Sequence, residues 1–250
     1  METYFDIYGV EYGFCRSTNC SYKDKFNRMV KLASRFEELS DKFDGMIERG
    51  NYSSENARLA LACKMMMYTG IRIGNEDSAE GYVTKPHPNS KVEPKFVQTY
   101  GLTTLLKEHV YVKGRKVVFM FLGKRHVDNT FEIGGSLARQ FRKFMDAYEG
   151  NTLFGITAYQ LTKFIKKYVG QQFTPKDFRT MKANMLAYER LTEICEENEL
   201  PRTKKEFNAE VKDIATFVSE KLNNTPGVCK KNYIDCYFWN EVESLRPITK

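Results

Sequence analysis

Apolar residues recur at three- and four-residue steps over much of the chain, which is the spacing of one buried face of an α-helix. The first such run covers residues 22–47, and Gly50 stands where a helix C-terminus favours glycine. Ser53 or Ser54 is suited to cap the next helix, which ends near Gly70. The pattern therefore predicts one long helix and then a second one in this part of the chain.

Alternation of apolar and polar residues replaces the helical pattern in the middle of the chain, after a loop rich in proline. Gly114 and Gly123 stand in two short turns between the alternating runs. We expect a small antiparallel sheet whose strands cover residues 97–106, 109–112, 116–122 and 130–133.

Helical spacing returns near residue 137, and pairs of residues typical of helix N-termini indicate where further helices begin. These pairs are Thr157 with Gln160, Thr174 with Pro175, Thr203 with Glu206, and Thr225 with Pro226. The predicted fold class is α+β and mostly α, with one small antiparallel sheet inserted among the helices.

The charge of the chain favours an acidic partner. Its 250 residues include 39 Lys and Arg against 32 Asp and Glu, which gives a formal net charge of +7. Basic side chains placed on phosphates release counterions, so nucleic acid is the favoured class of partner. No apolar run approaches the ~20 residues that span a bilayer, and the N-terminus lacks the pattern of a signal peptide. We therefore expect an intracellular, non-secreted protein without a membrane partner.

The cysteines do not form a metal-binding pattern. No two of them stand in a C-x-x-C pair, and no second cluster completes a zinc site. We expect free thiols in a reducing compartment for all six: Cys15, Cys20, Cys63, Cys195, Cys229 and Cys236.

Four short segments place basic or tyrosine side chains next to glycine, proline or threonine. They read TGIRIGNE at 69–76, FLGK at 121–124, KDFR at 176–179 and NTPGVCKKNY at 224–233. Each has an ordinary structural interpretation when taken alone. Arg72 is then a cation at a helix C-terminus, Lys124 a solvated turn residue and Tyr233 a core aromatic. Lys176 and Arg179 are then a surface pair on one helix face.

Taken together and in this order, the segments resemble the type IB DNA topoisomerases, and most closely the small poxvirus-like kind. This family belongs to the tyrosine recombinase and topoisomerase IB superfamily. Arg72 precedes a Gly-Asn pair as in the family's R-x-G-N-like segment, and YGLTTL at 100–105 fits its Y-G-L-x-T-L strand. Lys124 stands in an F-x-G-K hairpin, and KDFRT at 176–180 fits the K-D-x-R-T segment. Tyr233 falls at the position of the nucleophile.

The resemblance implies an enzyme that relaxes supercoils by cutting one DNA strand through a 3′-phosphotyrosine and rejoining it. Tyr233 is then the nucleophile, and Lys124 is the acid that protonates the leaving 5′ oxygen. Arg72 and Arg179 hold the non-bridging phosphate oxygens, to which planar guanidinium groups are suited, and Lys176 assists as a phosphate contact or as a second acid. This scheme uses no ATP, no metal and no other cofactor.

Two features depart from the family. The family's H-T-P reads Asn224-Thr225-Pro226 here, and an Asn amide donates a hydrogen bond without the charge of a His. We therefore expect slower cleavage, or a role for Asn224 only at the cap of the following helix. Residues 1–50 are predicted as an N-terminal segment of mostly one long helix, in place of the family's full β-rich clamp domain. Residues 51–250 are the predicted catalytic domain, and a partner chain or a second copy is expected to complete the DNA clamp.

Two other functions stay open at this point. A site-specific tyrosine recombinase shares the nucleophile, although recombinases usually carry H-x-x-R where this chain has Lys176 and Arg179. Recombination also uses a C-terminal exchange helix, and we expect no such helix after Tyr233. The second alternative is a DNA-binding relative that has lost its activity, which would account for Asn224 in place of the histidine. Such a protein would have no chemical reason to keep two arginines, the lysine and the tyrosine together. In each case the partner is double-stranded DNA, in a nucleoid, a viral factory or a virion.

Overall fold

The computed structural model describes residues 4–5, 11–12, 20–84 and 93–249, with side chains from residue 24 onward. Its helices are α1 (Cys20–Ala33), α2 (Phe36–Arg49), α3 (Glu55–Thr69), α4 (Glu76–Glu80), α5 (Gly135–Ala147), α6 (Ala158–Tyr168), α7 (Pro175–Glu197), α8 (Lys204–Lys221), α9 (Pro226–Asn232) and α10 (Cys236–Leu245). Its strands are β1 (Tyr4–Phe5), β2 (Glu11–Tyr12), β3 (Tyr82–Val83), β4 (Phe96–Val97), β5 (Val110–Lys113), β6 (Lys116–Gly123) and β7 (Val127–Ile133). The predicted fold class, mostly α with a small antiparallel sheet, is confirmed.

The strands β5, β6 and β7 form a three-stranded antiparallel sheet with β6 in the centre. Gly114 closes the turn between β5 and β6, and its φ of +57° lies in the left-handed region that short hairpin turns require. Alternate residues of β7 are buried. On β6, Phe119 packs edge-to-face on Phe141 of α5 with ring centroids 5.0 Å apart. The alternating sequence pattern therefore predicted this sheet and its first turn correctly.

The predicted strand over residues 97–106 is wrong. Only Phe96–Val97 pairs as a strand, with β3, and Leu102–Thr104 forms a turn of 3-10 helix. The Thr104 hydroxyl accepts a hydrogen bond from the amide of Gly101 at 3.0 Å, and the Thr104 amide donates to the Gly101 carbonyl at 2.9 Å. Because such local bonds compete with strand pairing, the apolar run folds into a turn.

The stretch predicted as one long helix is two helices, α1 and α2, separated at Ser34 and Arg35. The Ser34 hydroxyl donates to the carbonyl of Lys31 at 3.1 Å, which offers the backbone an alternative to a further helical turn. Arg35 donates to the carbonyl of Val169 at 2.6 Å, so a tertiary contact also holds the break. The domain boundary after residue 50 stays a prediction.

The helix α10 follows Tyr233, where the sequence predicted no exchange helix. Asp235 caps α10 by accepting from the amide of Tyr237 at 3.0 Å. Phe238 is fully buried and packs on Tyr188 of α7 with ring centroids 4.8 Å apart. The helix α10 therefore packs on its own chain, and the expectation that no exchange helix follows Tyr233 stays a prediction.

Three predicted helix N-termini are confirmed by hydrogen bonds between the capping residue and the third residue of the helix. The pairs are Thr157 and Gln160 before α6, Thr174 and Asp177 at α7, and Thr203 and Glu206 at α8. Local sequence alone decides these positions, because each bond joins residues three apart.

Two expectations drawn from composition concern the cysteine thiols and membrane-spanning helices. Cys63 and Cys195 are free thiols, as predicted. Cys229 is buried and Cys236 is exposed, and the side chains of Cys15 and Cys20 lie outside the described part. Among the helices of the described ranges, none combines the length and the apolar character that a membrane crossing demands.

The chain forms two compact units, and each is described by itself. The first unit comprises residues up to Lys42, Met66–Gly70 and residues from Val169 on. The second comprises Phe43–Met65 and Ile71–Tyr168. In the first unit α7 is buried along much of its length and contacts α1 and α8. In the second unit the three-stranded sheet packs against α5.

A buried ion pair fastens the end of α10 to α8 in the first unit. Arg246, whose side chain is only 4% exposed, donates to Glu210 at 2.7 Å. The same guanidinium donates to the backbone carbonyls of Asn198 at 3.1 Å and of Glu199. Because Arg246 is buried and Glu210 is only 17% exposed, these bonds are largely shielded from water and depend on one another for their stability.

We expect Arg246→Ala to lower the free energy of unfolding by about 3 kcal/mol, because it leaves the largely buried Glu210 carboxylate and two backbone carbonyls without their partner. Urea unfolding followed by circular dichroism measures this change. Arg202→Ala is the matched control, since its pair with Glu199 is 76% and 86% exposed and should contribute less than about 1 kcal/mol. Equal losses in the two variants would contradict the role of burial.

Candidate active site

Arg179 is the most buried of the basic residues that the sequence singled out, with 3% of its surface exposed. It lies in the second turn of α7, which Thr174 and Pro175 begin. Its guanidinium donates to the carbonyl of Gly70 at 2.7 Å and to the carbonyl of Leu222 at 2.6 Å. Gly70 follows α3, and Leu222 ends α8. The cation therefore lies where two helices present their partly negative C-terminal ends.

Tyr233 lies directly after α9 and next to Arg179. The centre of the guanidinium is 5.2 Å from the centroid of the tyrosine ring, within the range of a cation–π contact. The backbone amide of Tyr233 donates to the carbonyl of Cys229 at 3.0 Å and so ends the helix. The first unit therefore brings together the predicted nucleophile and one of the two predicted phosphate-binding arginines.

Asn184 of α7 fixes the backbone immediately after Tyr233, the predicted nucleophile. Its amide nitrogen donates to the carbonyl of Tyr233 at 2.9 Å, and its amide oxygen accepts from the backbone N–H of Asp235 at 2.8 Å. Asn184 is fully buried and also donates to the carbonyl of Thr180 at 2.8 Å. The sequence analysis missed this residue, because its role depends on a contact between distant parts of the chain.

Lys25 of α1 is a second residue that the sequence analysis missed. Its ammonium group donates to the carbonyl of Asn232 and lies 5.9 Å from the centroid of the Tyr233 ring. Burial, and after it the positive charge of Lys176, lower the pKa of Lys25, whereas Asp235 opposes them, and the net result is a pKa of about 8. A sequence signal did exist, since Lys25 occupies an i+3 position on the apolar stripe that begins at residue 22.

Lys176 is exposed in the first turn of α7, whereas Arg179 one turn later is buried. Between them, Asp177 is 2% exposed and accepts from the amide and the hydroxyl of Thr174, both at 2.8 Å. Asp177 also accepts from Arg28 of α1 at 3.2 Å. Lys176 and Arg179 are therefore not one surface pair, and only Lys176 faces solvent.

Asn224, which stands in place of the family's histidine, precedes α9. Thr225 and not Asn224 is the N-cap residue of that helix. The backbone amide of Asn224 donates to the carbonyl of Ser219 at 2.9 Å. Its side-chain nitrogen is buried, and no acceptor for it is present among the described residues. A buried donor in this state carries a desolvation cost, which a ligand oxygen would relieve.

Arg72 and Lys124 belong to the second unit. Arg72 is half-buried in the loop between α3 and α4, and its carbonyl accepts from the amide of Leu102 at 2.8 Å. Gly74 and Gly101 allow this close approach, because a Cβ on Gly101 would lie 2.5 Å from the Gly74 backbone. The loop that carries Arg72 is thus fixed by backbone contacts with the segment that was predicted to be a strand.

Lys124 is exposed at the tip between β6 and β7, where residues Lys124–His126 form a 3-10 turn. Arg125 and His126 both have positive φ values, of 65° and 58°. Non-glycine residues adopt this conformation at some cost, and such turns are often found at functional sites. The structure therefore confirms the predicted turn and places the ammonium group of Lys124 on the surface of its unit.

The ordered motifs, the mostly helical fold and the tyrosine beside a buried arginine are those of a type IB topoisomerase-like domain. Residues 18–237 match the family described as eukaryotic DNA topoisomerase I, catalytic core, and the chain belongs to that family. The matched range includes all of the residues that the sequence singled out: Arg72, Lys124, Lys176, Arg179, Asn224 and Tyr233. The resemblance drawn from the sequence is thereby confirmed.

A curated relative is the DNA topoisomerase 1B of Acanthamoeba polyphaga mimivirus, 22% identical over 231 residues. The match covers 86% of this chain and 63% of the relative, so the chain spans less than two thirds of that protein. Among solved structures, a XerH site-specific recombinase bound to difH substrate in a pre-cleavage complex has a TM-score of 0.41 and 13% identity. That similarity covers 83% of this chain and 52% of the recombinase.

We expect Gly70→Ala to destabilise the protein more than Gly114→Ala. Both glycines have positive φ, of +65° and +57°, so both variants carry a backbone strain of about 1–2 kcal/mol. A Cβ on Gly70 would also lie 2.8 Å from Leu222, whereas a Cβ on Gly114 meets nothing within 4 Å. Urea unfolding measures both changes, and equal losses would show that the surroundings of Gly70 are not tightly packed.

Proposed function

We propose that this protein relaxes supercoiled DNA by transient cleavage of one strand, with Tyr233 as the nucleophile. The observation that carries the proposal is the contact between the Tyr233 ring and the Arg179 guanidinium, 5.2 Å apart. Membership of the topoisomerase I core family supports it, because the match includes both residues. A tyrosine beside a permanently charged guanidinium is suited to attack a phosphodiester, since negative charge develops on the phosphate during the attack.

The proposed reaction balances without an external energy source. The phenolic oxygen of Tyr233 attacks the phosphorus in line, and its proton leaves to solvent. The P–O5′ bond breaks while a P–O bond to the tyrosine forms, and Lys124 gives a proton to the departing 5′ oxygen. The 3′-phosphotyrosine conserves the bond, so the 5′ hydroxyl can reverse the step after the free strand has rotated.

Arg72 and Arg179 are the proposed ligands of the non-bridging oxygens. Arg179 donates to the carbonyls of Gly70 and Leu222 in this structure, so the proposed role requires the phosphate to approach a guanidinium that also holds the fold. Charged hydrogen bonds to phosphate are stronger than those to neutral carbonyls, which favours such an approach. Lys176 is exposed one turn earlier and is the proposed additional phosphate contact.

Asn224 is the proposed donor to a non-bridging oxygen in place of the family's histidine. Its buried side-chain nitrogen, for which no acceptor is present among the described residues, supports this role. The alternative role at the helix cap is not supported, since Thr225 is the N-cap residue. An amide donor carries no charge, so it should stabilise the transition state less than an imidazolium would.

Double-stranded DNA is the proposed partner, and the net charge of +7 is consistent with it. The relative from the mimivirus is longer than this chain, and the match covers 63% of it. We propose that a partner chain or a second copy completes the grip on the duplex. The proposed place of action is wherever that DNA resides: a nucleoid, a viral factory or a virion.

We expect the wild-type protein to relax negatively supercoiled plasmid in the presence of a chelator and without nucleotide. Tyr233→Phe should abolish relaxation, because it removes only the attacking hydroxyl. It should bind plasmid as the wild type does. Gel electrophoresis measures relaxation, and denaturant-trapped protein on the DNA measures the covalent adduct.

Three outcomes of this experiment distinguish the functions. Relaxation and adduct with the wild type alone support the topoisomerase. Binding with neither relaxation nor adduct would sink the proposal and favour an inactive DNA-binding relative. Strand exchange that needs a specific pair of sites would favour a recombinase.

We expect Asn224→His to accelerate cleavage by about tenfold. A charged donor gains about 1.4 kcal/mol over a neutral one at the transition state, which corresponds to that factor. The gain should be larger at pH 6 than at pH 8, because the imidazole is protonated at the lower pH. Asn224→Ala is the control and should slow cleavage. Equal rates in all three proteins would show that this position makes no contact with the phosphate.

A further inference from the structure

We propose that Lys25 is a positioning residue for the nucleophile, which its ammonium group holds in place through the carbonyl of Asn232. This inference rests on the proposed function of Tyr233. It adds a contribution from α1, a helix that the sequence placed in the N-terminal segment and outside the predicted catalytic domain.

The geometry at the end of α9 supports this role. The last carbonyls of a helix have no partner within the helix, and cations are favoured near them. Lys25 donates to the carbonyl of Asn232, and Asn184 donates to the next carbonyl, that of Tyr233, at 2.9 Å. The backbone on both sides of the Tyr233 α-carbon is therefore held, from α1 on one side and from α7 on the other.

A charged donor is needed to hold the Asn232 carbonyl firmly. Charged hydrogen bonds are shorter and roughly twice as strong as neutral ones. The protonation of Lys25 is finely balanced: burial, Lys176 and Arg28 lower its pKa, whereas Asp235 and Asp177 raise it. With a pKa of about 8, the ammonium form predominates below that pH and is lost as the pH rises through it.

The test compares Lys25→Met and Lys25→Arg with the wild type in plasmid relaxation at saturating protein. Lys25→Met should slow relaxation by about 10- to 100-fold at pH 7, as expected for the loss of one charged hydrogen bond. The protein concentration at half-maximal rate should change less than about threefold, since the residue acts on the nucleophile and not on DNA binding. Lys25→Arg keeps the charge and should restore most of the rate.

Lys31→Met is the matched control, because it removes an exposed lysine from the same helix. It should leave the saturated rate unchanged. A slowing equal to that of Lys25→Met would show that any loss of positive charge from α1 has this effect, and it would overturn the inference.

The dependence on pH separates positioning by a charge from a purely structural role. Between pH 7 and pH 9 the wild type loses the Lys25 charge, whereas Lys25→Arg keeps its own. The relaxation rate of Lys25→Arg divided by the wild-type rate should therefore rise with pH. The relaxation rate of Lys25→Met divided by the wild-type rate should also rise, and it should approach one at pH 9, where the wild type has lost the same charge. Ratios that stay constant over this range would overturn the inference. If Lys25→Met does not fold, the Lys25→Arg ratio decides alone.

Amide hydrogen exchange tests the contact of Lys25 without relying on DNA cleavage, so the inference and the proposed function can fail separately. If the wild type forms no covalent adduct, the proposed function fails, and amide exchange in residues 226–236 then tests the positioning contact. Faster exchange there in Lys25→Met than in Lys31→Met supports the contact. Identical exchange in the two variants overturns it.

Discussion

The guanidinium of Arg179 is shielded from water, so it needs hydrogen-bond acceptors within the protein. The helices of the first unit are arranged so that they supply these acceptors. Removing a charged group from water costs several kcal/mol unless hydrogen bonds compensate for it. Two helix ends supply that compensation through the carbonyls of Gly70 and Leu222. The positions at which α3 and α8 stop are thus tied to one side chain on α7. The ring of Tyr233 lies against the same guanidinium, so the placement of the proposed nucleophile depends on it as well.

The setting of Tyr233 shows how backbone contacts rather than side-chain partners can orient a proposed nucleophile. The carbonyls on both sides of it are taken by Lys25 and Asn184, and Asn184 also accepts from the amide of Asp235. A short helix such as α9 has little stability of its own. Its C-terminal end is instead fixed by α1 and α7, which contact each other closely. The orientation of Tyr233, the proposed nucleophile, is therefore a property of the packed unit and not of the segment that carries it.

Features fixed by neighbouring residues could be predicted from the sequence. The caps at Thr157, Thr174 and Thr203 involve residues three apart, and the turn at Gly114 needs only a residue that tolerates positive φ. The predicted strand over residues 97–106 failed because the Thr104 hydroxyl bonds to the local backbone and favours a turn over strand pairing.

Features that depend on distant contacts could not be predicted in this way. The division between α1 and α2 is held by the bond from Arg35 to Val169, and α10 is held by the burial of Phe238. The motif order identified Arg179 and Tyr233, but it gave no sign that Arg179 is buried. Lys25 is a charged residue on an apolar stripe, and the sequence alone does not show that this stripe packs beside Tyr233, the proposed nucleophile.

The double use of Arg179 limits what its substitution can reveal. A variant that removes the guanidinium leaves two helix-end carbonyls and the Tyr233 ring without their partner, so stability and activity should fall together. Loss of relaxation in such a variant would not separate a catalytic role from a structural one. The hydroxyl of Tyr233 and the side-chain nitrogen of Asn224 are different, because no backbone element of the described fold is anchored by either group. Changes at these two atoms act on the chemistry with the least effect on the fold, and they give the cleaner test of how this site works.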